Sequence, residues 1–455
     1  MIDLGRLPDL LREQLPAHVA RQRWAGTQGR TVTSVEPVWT EVVEPDDPML
    51  LWALVDAELS DGARARYQLL IGGRPATPWP PFLAGKDRQL VGVVPGTSGD
   101  VVLYDALVDP DLAMAVLHLT SPGTEVSVRR PIVLEHSNSS VVFDESIILK
   151  VFRKVGTGPN ADVEVTQELA AHGCGLVVPP MAELLRDGTH LAVLRPFVAG
   201  AAEGWQLART SVRDLLGSRL SPEECGGDLA PSSGWLGHTI AGLHLAMAEL
   251  WLVQPASPPA WVQQMEAHLD SVAAAASALA GVALDVAAVR AQLATAGSLD
   301  DGGAEIRIHG DLHLAQVIHA DTGWLVIDFE GEPARLAAGA TVRSSPLRDV
   351  AGMLRSFHYA ALSGLAEWDV ADDELRGLLA AWEDRNRQAF LAGYFGHAGI
   401  GALLPSDPAS RATLLAAFEL DKAVYELGYE LAHRPEKVAI PLAGIHRLVR
   451  GPVPT

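Results

Sequence analysis

Cysteine is scarce in this sequence, which contains only Cys174 and Cys225 among 455 residues. Two cysteines cannot form a disulfide framework in a chain of this length, so we expect ordinary thiols in a reducing compartment. Basic residues are also in the minority, with 35 lysines and arginines against 56 aspartates and glutamates, which leaves a net charge of −21. This charge disfavours nucleic acid and anionic lipid as partners and favours a cationic small molecule or a basic partner.

Long apolar runs are absent as well. The N-terminal residues lack the basic region and the apolar run of a signal peptide. The longest stretch of low polarity, residues 272–284, is rich in alanine and too short to span a bilayer. These patterns predict a cytoplasmic protein without a membrane segment.

The length and the hydrophobic periodicity indicate several domains. At roughly 100 to 200 residues per domain, the chain is long enough for two or three. We predict a small α/β unit over residues 1–90, a strand-rich lobe over 91–200 and a helical lobe over 201–455, where the apolar residues recur with the helical period. A strand-rich half followed by a helix-rich half predicts the α+β class, with a cleft between two lobes.

The strongest chemical signal is His309-Gly310-Asp311, followed by Gln316 and, after a predicted strand, by Asp328. Phosphoryl transfer to a hydroxyl needs a carboxylate that orients and deprotonates the acceptor, and oxygen ligands that hold Mg²⁺ on the nucleotide phosphates. We therefore assign Asp311 as the base and Gln316 and Asp328 as metal ligands. A lone His-Gly-Asp is more often a turn, and the spacing to the second aspartate is what favours a kinase.

Two neighbours of these aspartates complete the predicted acceptor side. His313 follows Asp311 by two residues, and Glu330 follows Asp328 by two residues. We expect both to contact the acceptor together with Asp311, while His309 is expected to have a structural role.

A single lysine, Lys150, lies in the apolar segment Ile147–Phe152. An unpaired ammonium is costly to desolvate, so a lysine buried there needs a carboxylate partner. The following predicted helix offers Glu164 and Glu168 on one face, and a lysine held by such a glutamate can bind nucleotide phosphates. The alternative is an edge-strand lysine whose ammonium reaches water.

Two further segments are candidates for binding ATP. The polar turn before the lysine strand offers small side chains and free N–H groups that can cradle phosphate oxygens, namely Ser137, Asn138, Ser139 and Ser140. The segment around Pro196 and Val198 ends the strand-rich half, and its main-chain carbonyl and N–H groups can bind adenine. A solvated hairpin turn and an ordinary linker are the alternatives.

Asp349 lies at the start of a predicted helix, in the segment Ser345-Pro346-Leu347-Arg348-Asp349. One interpretation is a first-turn aspartate stabilised by the helix dipole. The other is an aspartate that holds the backbone of the catalytic loop, as in kinase-like folds. Both roles are structural.

Across these segments the chain resembles the actinobacterial maltokinases, relatives of the aminoglycoside phosphotransferases. The matching stretches cover nearly the whole length and read QRWAG, EHSNSSVVF, ILKVFR, NADVEV, AAEGW, RIHGDLHLAQV, DFEGEPAR, SPLRDVAGMLRSF and FELDKAVYELGYE. The resemblance implies a bilobal, protein-kinase-like fold with an N-terminal cap domain, with ATP as donor and Mg²⁺ as cofactor. It also favours Glu164 over Glu168 as the partner of Lys150.

Departures from the maltokinase pattern bear on the substrate. QRWAG lacks the usual tyrosine after tryptophan, and residues 432–437 lack the arginine and later tryptophan expected around the HRP segment. Aromatic platforms and arginine forks recognise sugar rings and hydroxyls, so their loss would weaken a second glucose subsite. A glucosamine-phosphorylating branch is a relative of this family, and the sequence resembles that branch.

An acidic helix face points in the same direction. Glu419, Glu426 and Glu430 follow one another at i, i+7 and i+11, which places them on one face of the last long helix. If this face lines the acceptor site, it would favour a sugar that carries an ammonium group. The alternative is a solvated acidic face, or ion pairs with neighbouring arginines.

Three functions follow from these observations. The first is a glucosamine kinase that makes the 6-phosphate, the second is a maltokinase that makes the 1-phosphate, and the third is a noncatalytic kinase-like binding module. The intact set of Lys150, Asp311, Gln316 and Asp328 argues against the third. We expect ATP and a small sugar as partners of a monomer or weak homo-oligomer.

Overall fold

The computed structural model describes residues 7–27, 30–127, 132–135, 138–156, 158–277, 279, 282–332, 342–368 and 373–450. The chain divides into two compact units. Unit 1 comprises Met1–Glu164 and Pro179–Ala199, and unit 2 comprises Val165–Val178 and Gly200–Thr455. Unit 1 is mostly strand and unit 2 mostly helix, so the predicted α+β class is confirmed.

Unit 1 begins with helix α1 and a five-stranded antiparallel sheet in the order β1-β2-β3-β5-β4. Its elements are α1 Leu7–Arg21, β1 Val32–Glu44, β2 Met49–Leu59, β3 Arg64–Pro75, β4 Leu90–Gly96 and β5 Gly99–Asp105. The predicted domain end at residue 90 coincides with the first residue of β4. Because β4 is hydrogen-bonded to β5, the sheet continues to Asp105.

The apolar run of β2 is buried on both faces of this sheet. Successive side chains of a strand point to opposite faces. Leu51 and Ala53 therefore join the core that includes α1, whereas Leu50 and Trp52 join a second core on the other face. Burial on both faces explains why this strand shows little alternation of apolar and polar residues.

A second antiparallel sheet of unit 1 has the order β6-β7-β8-β10-β9. Helix α2 (Pro110–Thr120) precedes it and shares its apolar core. The strands are β6 Ile132–Glu135, β7 Ser139–Phe143, β8 Ile147–Val151, β9 Ala182–Arg186 and β10 Thr189–Pro196. Helix α3 (Ala161–Ala171) starts in unit 1 and continues into unit 2.

Unit 2 is built from helices around one large apolar core. The helices are α4 Gly204–Ser218, α5 Ala230–Leu250, α6 Pro258–Ser277, α7 Val286–Gly297, α8 Leu347–Trp368, α9 Asp373–Phe395, α10 Pro408–His433 and α11 Ala439–Arg450. Glycines let α5 and α9 approach closely, since a Cβ on Gly237 would lie 2.0 Å from the carbonyl oxygen of Phe390. In the described part of the chain, the search for a helix both long and apolar enough to cross a membrane found none.

Short strands of unit 2 flank the predicted catalytic loop, residues 308–316. They are β11 Ala202–Glu203, β12 Gln254–Pro255, β13 Ala304–Arg307, β14 Val317–Ala320, β15 Gly323–Val326 and β16 Arg343–Ser344. The loop between β13 and β14 is anchored by the buried side chains of Ile308, Leu312 and Leu314. These apolar anchors fix the positions of the polar residues between them.

Candidate active site

Asp349, on the first turn of α8, binds the backbone of the catalytic loop. Its carboxylate accepts the N–H of His309 at 2.8 Å and the N–H of Gly310 at 2.9 Å. Gly310 has a positive φ of 85°, and a Cβ there would lie 2.9 Å from the side chain of Val342. The loop therefore needs both the glycine and the aspartate to take up this conformation.

Asp349 is itself buried and bound by a second chain of hydrogen bonds. Its Oδ2 lies 3.2 Å from His244 Nε2, and His244 Nδ1 lies 2.9 Å from the Tyr394 hydroxyl. Burial raises the pKa of Asp349, but the hydrogen bond and the charge of His244, with smaller contributions, outweigh it and leave the pKa lowered. The aspartate thus remains ionised and bound to the loop.

We expect Asp349→Ala to reduce the free energy of unfolding by about 3 to 5 kcal/mol, because it removes the acceptor of two buried backbone N–H groups and of His244. Urea denaturation followed by circular dichroism measures this change. The matched control is Asp373→Ala, an exposed first-turn aspartate on α9, for which we expect a change below about 0.5 kcal/mol. Equal effects of the two variants would reduce Asp349 to a helix-dipole role.

The same assignment predicts a pH dependence of stability. The pKa of Asp349 is lower in the folded state than its ordinary value of 3.8. The stabilisation is therefore complete above the unfolded pKa and is lost as the pH falls through the folded pKa. Wild type should lose more stability than Asp349→Ala when urea denaturation is repeated from pH 5 downwards.

Asp311 lies at a cavity of unit 2, with one carboxylate oxygen already engaged. Its Oδ1 accepts from Lys422 Nζ at 2.9 Å, and its Oδ2 lies 3.8 Å from His313 Nε2. Burial raises the pKa of Asp311, but the charge of Lys422, followed by that of His313, lowers it to about 2. Asp311 is thus an ionised carboxylate at neutral pH. Lys422 was not predicted, because it follows Asp421 directly in the sequence and lies 111 residues from Asp311.

The two histidines of the loop have defined proton positions. His309 Nε2 lies 3.0 Å from the Ile327 carbonyl, which can only accept, so the proton is on Nε2. His313 Nδ1 accepts the N–H of Ala315 at 3.2 Å, which places the His313 proton on Nε2, the atom nearest Asp311. Burial lowers the pKa of His313, which favours the neutral ring at neutral pH, so its charge acts on Asp311 only at acid pH. His309 therefore fixes the loop, and His313 presents an N–H beside the carboxylate.

Gln316 and Asp328, the predicted metal ligands, contact each other in unit 2. Gln316 Nε2 lies 3.3 Å from Asp328 Oδ2. The backbone N–H of Ile327 donates to the main-chain carbonyl of Gln316 at 3.0 Å. Asp328 has a φ of 67°, in the left-handed region that few non-glycine residues adopt and in which aspartate is enriched. Carboxylate oxygens of Asp328 and Glu330 lie within 4.8 Å of each other. Amide and carboxylate oxygens are the donors that Mg²⁺ prefers, so these residues fit that ion.

The cavity beside Asp311 has a volume of about 120 Å³. Besides Asp349, which is bound to the loop, the charged side chains that line it are Asp311, Glu332, Arg348, Asp421 and Lys422. Asp421 accepts from Arg348 at 2.6 Å and lies 3.1 Å from His268 Nδ1. Three carboxylates therefore face two cations, which leaves this wall with one net negative charge.

The predicted acidic stripe of α10 does not line this cavity, which corrects the interpretation that it meets the acceptor. Its carboxylates are buried or half-buried and form ion pairs, namely Glu419 with Arg387, Glu426 with Arg355, and Glu430 with Arg434. At 100° per residue, the stripe lies about a third of a turn away from the α10 face that carries Asp421 and Lys422. The arginines on neighbouring segments take up its charge, as the alternative interpretation expected.

In unit 1, Lys150 on β8 is paired with a carboxylate of α3. Its Nζ lies 3.2 Å from Asp162 Oδ2, and Asp162 is also 3.2 Å from Arg195. Asp162 was not predicted as the partner of Lys150. It lies in the first turn of α3, two positions before Glu164. Glu168 is exposed and lies near His172, while Glu164 as a partner of Lys150 stays a prediction.

The predicted polar turn of residues 137–140 is only partly a turn, because Ser139 and Ser140 are the first residues of β7. Asn138 Oδ1 accepts the N–H of Arg153 at 3.2 Å, and Ser139 Oγ accepts from Arg153 Nε at 2.8 Å. Both side chains are buried in these contacts and connect the strands of the sheet, while their assignment to phosphate stays a prediction. Ser140 is half-buried and pairs with Lys150 across β7 and β8. The remaining candidate, Ser137, lies outside the described residues.

The segment predicted to bind adenine follows the end of β10. Pro196 is exposed and pairs with Ile147 of β8, and the N–H of Phe197 donates to the Ser146 carbonyl at 2.8 Å. Unit 1 ends three residues later, at Ala199. Adenine binding by the backbone of Pro196 and Val198 stays a prediction.

Comparison with known proteins agrees with this architecture. Residues 18–109 match the maltokinase N-terminal cap domain, which extends past the predicted end of the cap at residue 90. The chain is 28% identical over 344 residues to a glucosamine kinase of Streptacidiphilus jiangxiensis, covering 73% of this chain and 76% of that protein. It is 27% identical over 338 residues to a glucosamine kinase of Mycolicibacterium smegmatis, covering 70% and 79%.

The chain is thus similar to two glucosamine kinases over 70% and 73% of its length. A solved structure, a glucosamine kinase in complex with glucosamine, ADP and inorganic phosphate, aligns with a TM-score of 0.61 at 20% identity. The alignment covers 96% of this chain and 98% of that one. The predicted family resemblance is confirmed, and so is the kinase-like fold with a cap domain. The predicted enzyme class agrees with that of the similar proteins, which are phosphotransferases acting on a sugar hydroxyl.

Proposed function

We propose that the protein is an ATP- and Mg²⁺-dependent kinase that converts D-glucosamine into glucosamine 6-phosphate. The observation that carries this proposal is the ionised carboxylate of Asp311 at a cavity, on a loop that Asp349 holds by two backbone hydrogen bonds. A preorganised carboxylate is what transfer to a hydroxyl requires. The identity of the relatives supports glucosamine as the acceptor.

The residues present can perform each part of the transfer. The acceptor hydroxyl would bind at Asp311 Oδ2, since Oδ1 is already bound to Lys422. As the hydroxyl oxygen bonds to the γ-phosphorus and ADP leaves, its proton passes to Asp311 Oδ2. The neighbouring N–H of His313 can donate to a phosphoryl oxygen.

The metal and the nucleotide have candidate ligands as well. Gln316 and Asp328 would hold Mg²⁺, which when bound neutralises charge on the nucleotide phosphates. Lys150, held by Asp162, is the candidate for the phosphates in unit 1. Glu330 stays a candidate acceptor contact, because its carboxylate lies close to that of Asp328.

The charge of the cavity wall is the structural support for an amino sugar. Three carboxylates against two cations favour an ammonium group over a neutral substituent. Since α10 contributes Asp421 to this wall, the helix supports the acceptor hypothesis through a residue other than the three glutamates first considered.

We expect glucosamine to exceed glucose and N-acetylglucosamine in kcat/KM by roughly tenfold to a hundredfold, the effect of one charge-assisted hydrogen bond. These sugars differ from glucosamine only at C2, so they are matched controls. The advantage should fade as the pH rises above the pKa of the amine. A coupled ADP-release assay on this panel, with Asp311→Asn as the inactive control, makes the measurement.

Maltose is the second candidate, because residues 18–109 match a maltokinase cap domain. We expect it to be a poor acceptor. A higher kcat/KM for maltose than for glucosamine would replace the proposed substrate by maltose and its product by maltose 1-phosphate. Failure of every sugar tested, with nucleotide bound, would leave the noncatalytic binding module.

A further inference from the structure

Lys422 connects three segments of unit 2 through its ammonium group. The side chain comes from α10, and its Nζ lies 2.9 Å from Asp311 Oδ1 on the catalytic loop and 2.7 Å from Glu332 Oε1 after β15. The ring of Tyr425, one turn further along α10, has its centroid 4.8 Å from the same nitrogen. The Lys422 side chain is only 17% exposed. Lys422 is therefore a largely buried ammonium group that is paired with two carboxylates.

The charged states of Lys422, Asp311 and Glu332 depend on one another. Burial lowers the pKa of Lys422, but the charges of Asp311 and Glu332 outweigh it and hold the pKa well above its usual value. Without the ammonium, two carboxylates would share a buried site and repel each other. Lys422 therefore permits both carboxylates to remain ionised beside the cavity.

We propose that Lys422 is a positioning residue for phosphoryl transfer, whose ammonium binds Asp311 Oδ1 and leaves Oδ2 for the acceptor hydroxyl. This inference rests on the proposed function, in which Asp311 receives the proton of the acceptor. A charge that is fixed before the reaction needs no reorganisation when the acceptor bonds to phosphorus. Nothing in the sequence spacing links Lys422 to Asp311, because 111 residues separate them.

The arrangement also restricts which group of an amino sugar can approach Asp311. An ammonium beside Asp311 would be repelled by Lys422 at a short distance, whereas a hydroxyl would not. The carboxylate of Asp421, the residue before Lys422 on α10, lines the same cavity and accepts from Arg348 at 2.6 Å rather than from Lys422. The cavity therefore accepts the reacting hydroxyl at Asp311 and the amine elsewhere, which fits transfer to a hydroxyl remote from C2.

The test is the kinetics of Lys422→Met, which keeps the length of the side chain and removes its charge. We expect kcat to fall by about tenfold to a hundredfold, because a hydrogen bond between charged groups is lost. The KM for Mg·ATP should change little, since Gln316 and Asp328 are untouched. Lys437→Met is the matched control, a lysine on the short turn after α10 for which we expect wild-type kinetics.

The pH profile separates positioning from a merely structural role. Burial alone raises the pKa of Asp311, and Lys422 provides the largest opposing charge. The active, ionised form of Asp311 should therefore be lost at a higher pH in Lys422→Met, which moves the acidic limb of kcat/KM upwards. The other groups near this carboxylate are unchanged by the substitution, namely His309, His313, His268, Glu332, Arg348, Asp349, Asp421 and Tyr425.

A double variant covers the case in which Lys422→Met does not fold. Lys422→Met with Glu332→Gln removes the ammonium and one carboxylate, so the net charge of the cavity equals that of wild type. We expect this variant to fold, with kcat still reduced and the acidic limb still displaced. Wild-type kcat and pH profile in either variant would overturn the role of Lys422. Wild-type enzyme that phosphorylates no sugar would instead reject the proposed function.

Discussion

Replacing Asp311 by asparagine is expected to lower phosphoryl transfer by about 10²- to 10⁴-fold while the fold is kept. The amide has the shape of the carboxylate but cannot accept the proton of the acceptor hydroxyl. It also removes the negative charge that Lys422 holds in place at 2.9 Å. Since Glu332 still pairs with Lys422 at 2.7 Å, the ammonium keeps a partner, and we expect no collapse of the cavity.

The measurement combines ADP release with glucosamine as acceptor and thermal unfolding of both proteins. Comparable unfolding transitions would show that the loss of transfer is chemical. Nucleotide binding, followed by calorimetry, should be retained because Asp311 is not among the predicted metal ligands. A residual rate above about a tenth of the wild-type rate would refute Asp311 as the base.

The second large effect is expected for Asp328→Ala, which should abolish Mg²⁺-dependent binding of ATP. As predicted metal ligands, Asp328 would contribute a charged oxygen and Gln316, whose Nε2 lies 3.3 Å from Asp328 Oδ2, a neutral one. Gln316→Ala should therefore only weaken binding. Isothermal titration calorimetry with ATP, in the presence of Mg²⁺ and then of a chelator, measures the metal-dependent part of the affinity.

A matched control for this experiment is Asp321→Ala. Asp321 is an exposed aspartate on the turn between β14 and β15, so its removal changes the net charge by the same amount. We expect its Mg·ATP affinity to equal that of wild type. An unchanged Mg·ATP affinity of Asp328→Ala would remove Asp328 from the metal site, whatever its effect on turnover.

Sequence patterns predicted those parts of the fold that depend on local periodicity. The α+β class followed from apolar residues spaced as in strands and then as in helices, since these periods decide which side chains share a face. The predicted boundary at residue 90 stays a prediction; it falls on the first residue of β4, whose backbone hydrogen bonds to β5 leave no local period in the sequence. The sequence of a strand does not show with which other strand it will pair, so it does not show to which domain the strand belongs.

The same division holds for the candidate site. The sequence by itself singled out the loop from His309 to Gln316 and the aspartate after the following hairpin, because those residues are linked by short spacings; their catalytic and metal-binding roles stay predictions. It also required a carboxylate for Lys150, since a buried ammonium needs one, but the helix offered several and the structure shows contact with Asp162. Which carboxylate is reached depends on the exact turn at which α3 begins.

Only the tertiary structure decided what faces each of these groups. Periodicity correctly placed Glu419, Glu426 and Glu430 on one face of α10, and the i, i+4 spacing allows the pair of Glu430 with Arg434. It could not show that arginines of two other helices pair with Glu419 and Glu426, namely Arg387 and Arg355. It was equally silent about Lys422, whose partners lie 111 and 90 residues away along the chain. A helical period records which side chains share a face, whereas the charges they meet come from segments that packing brings together from distant parts of the sequence.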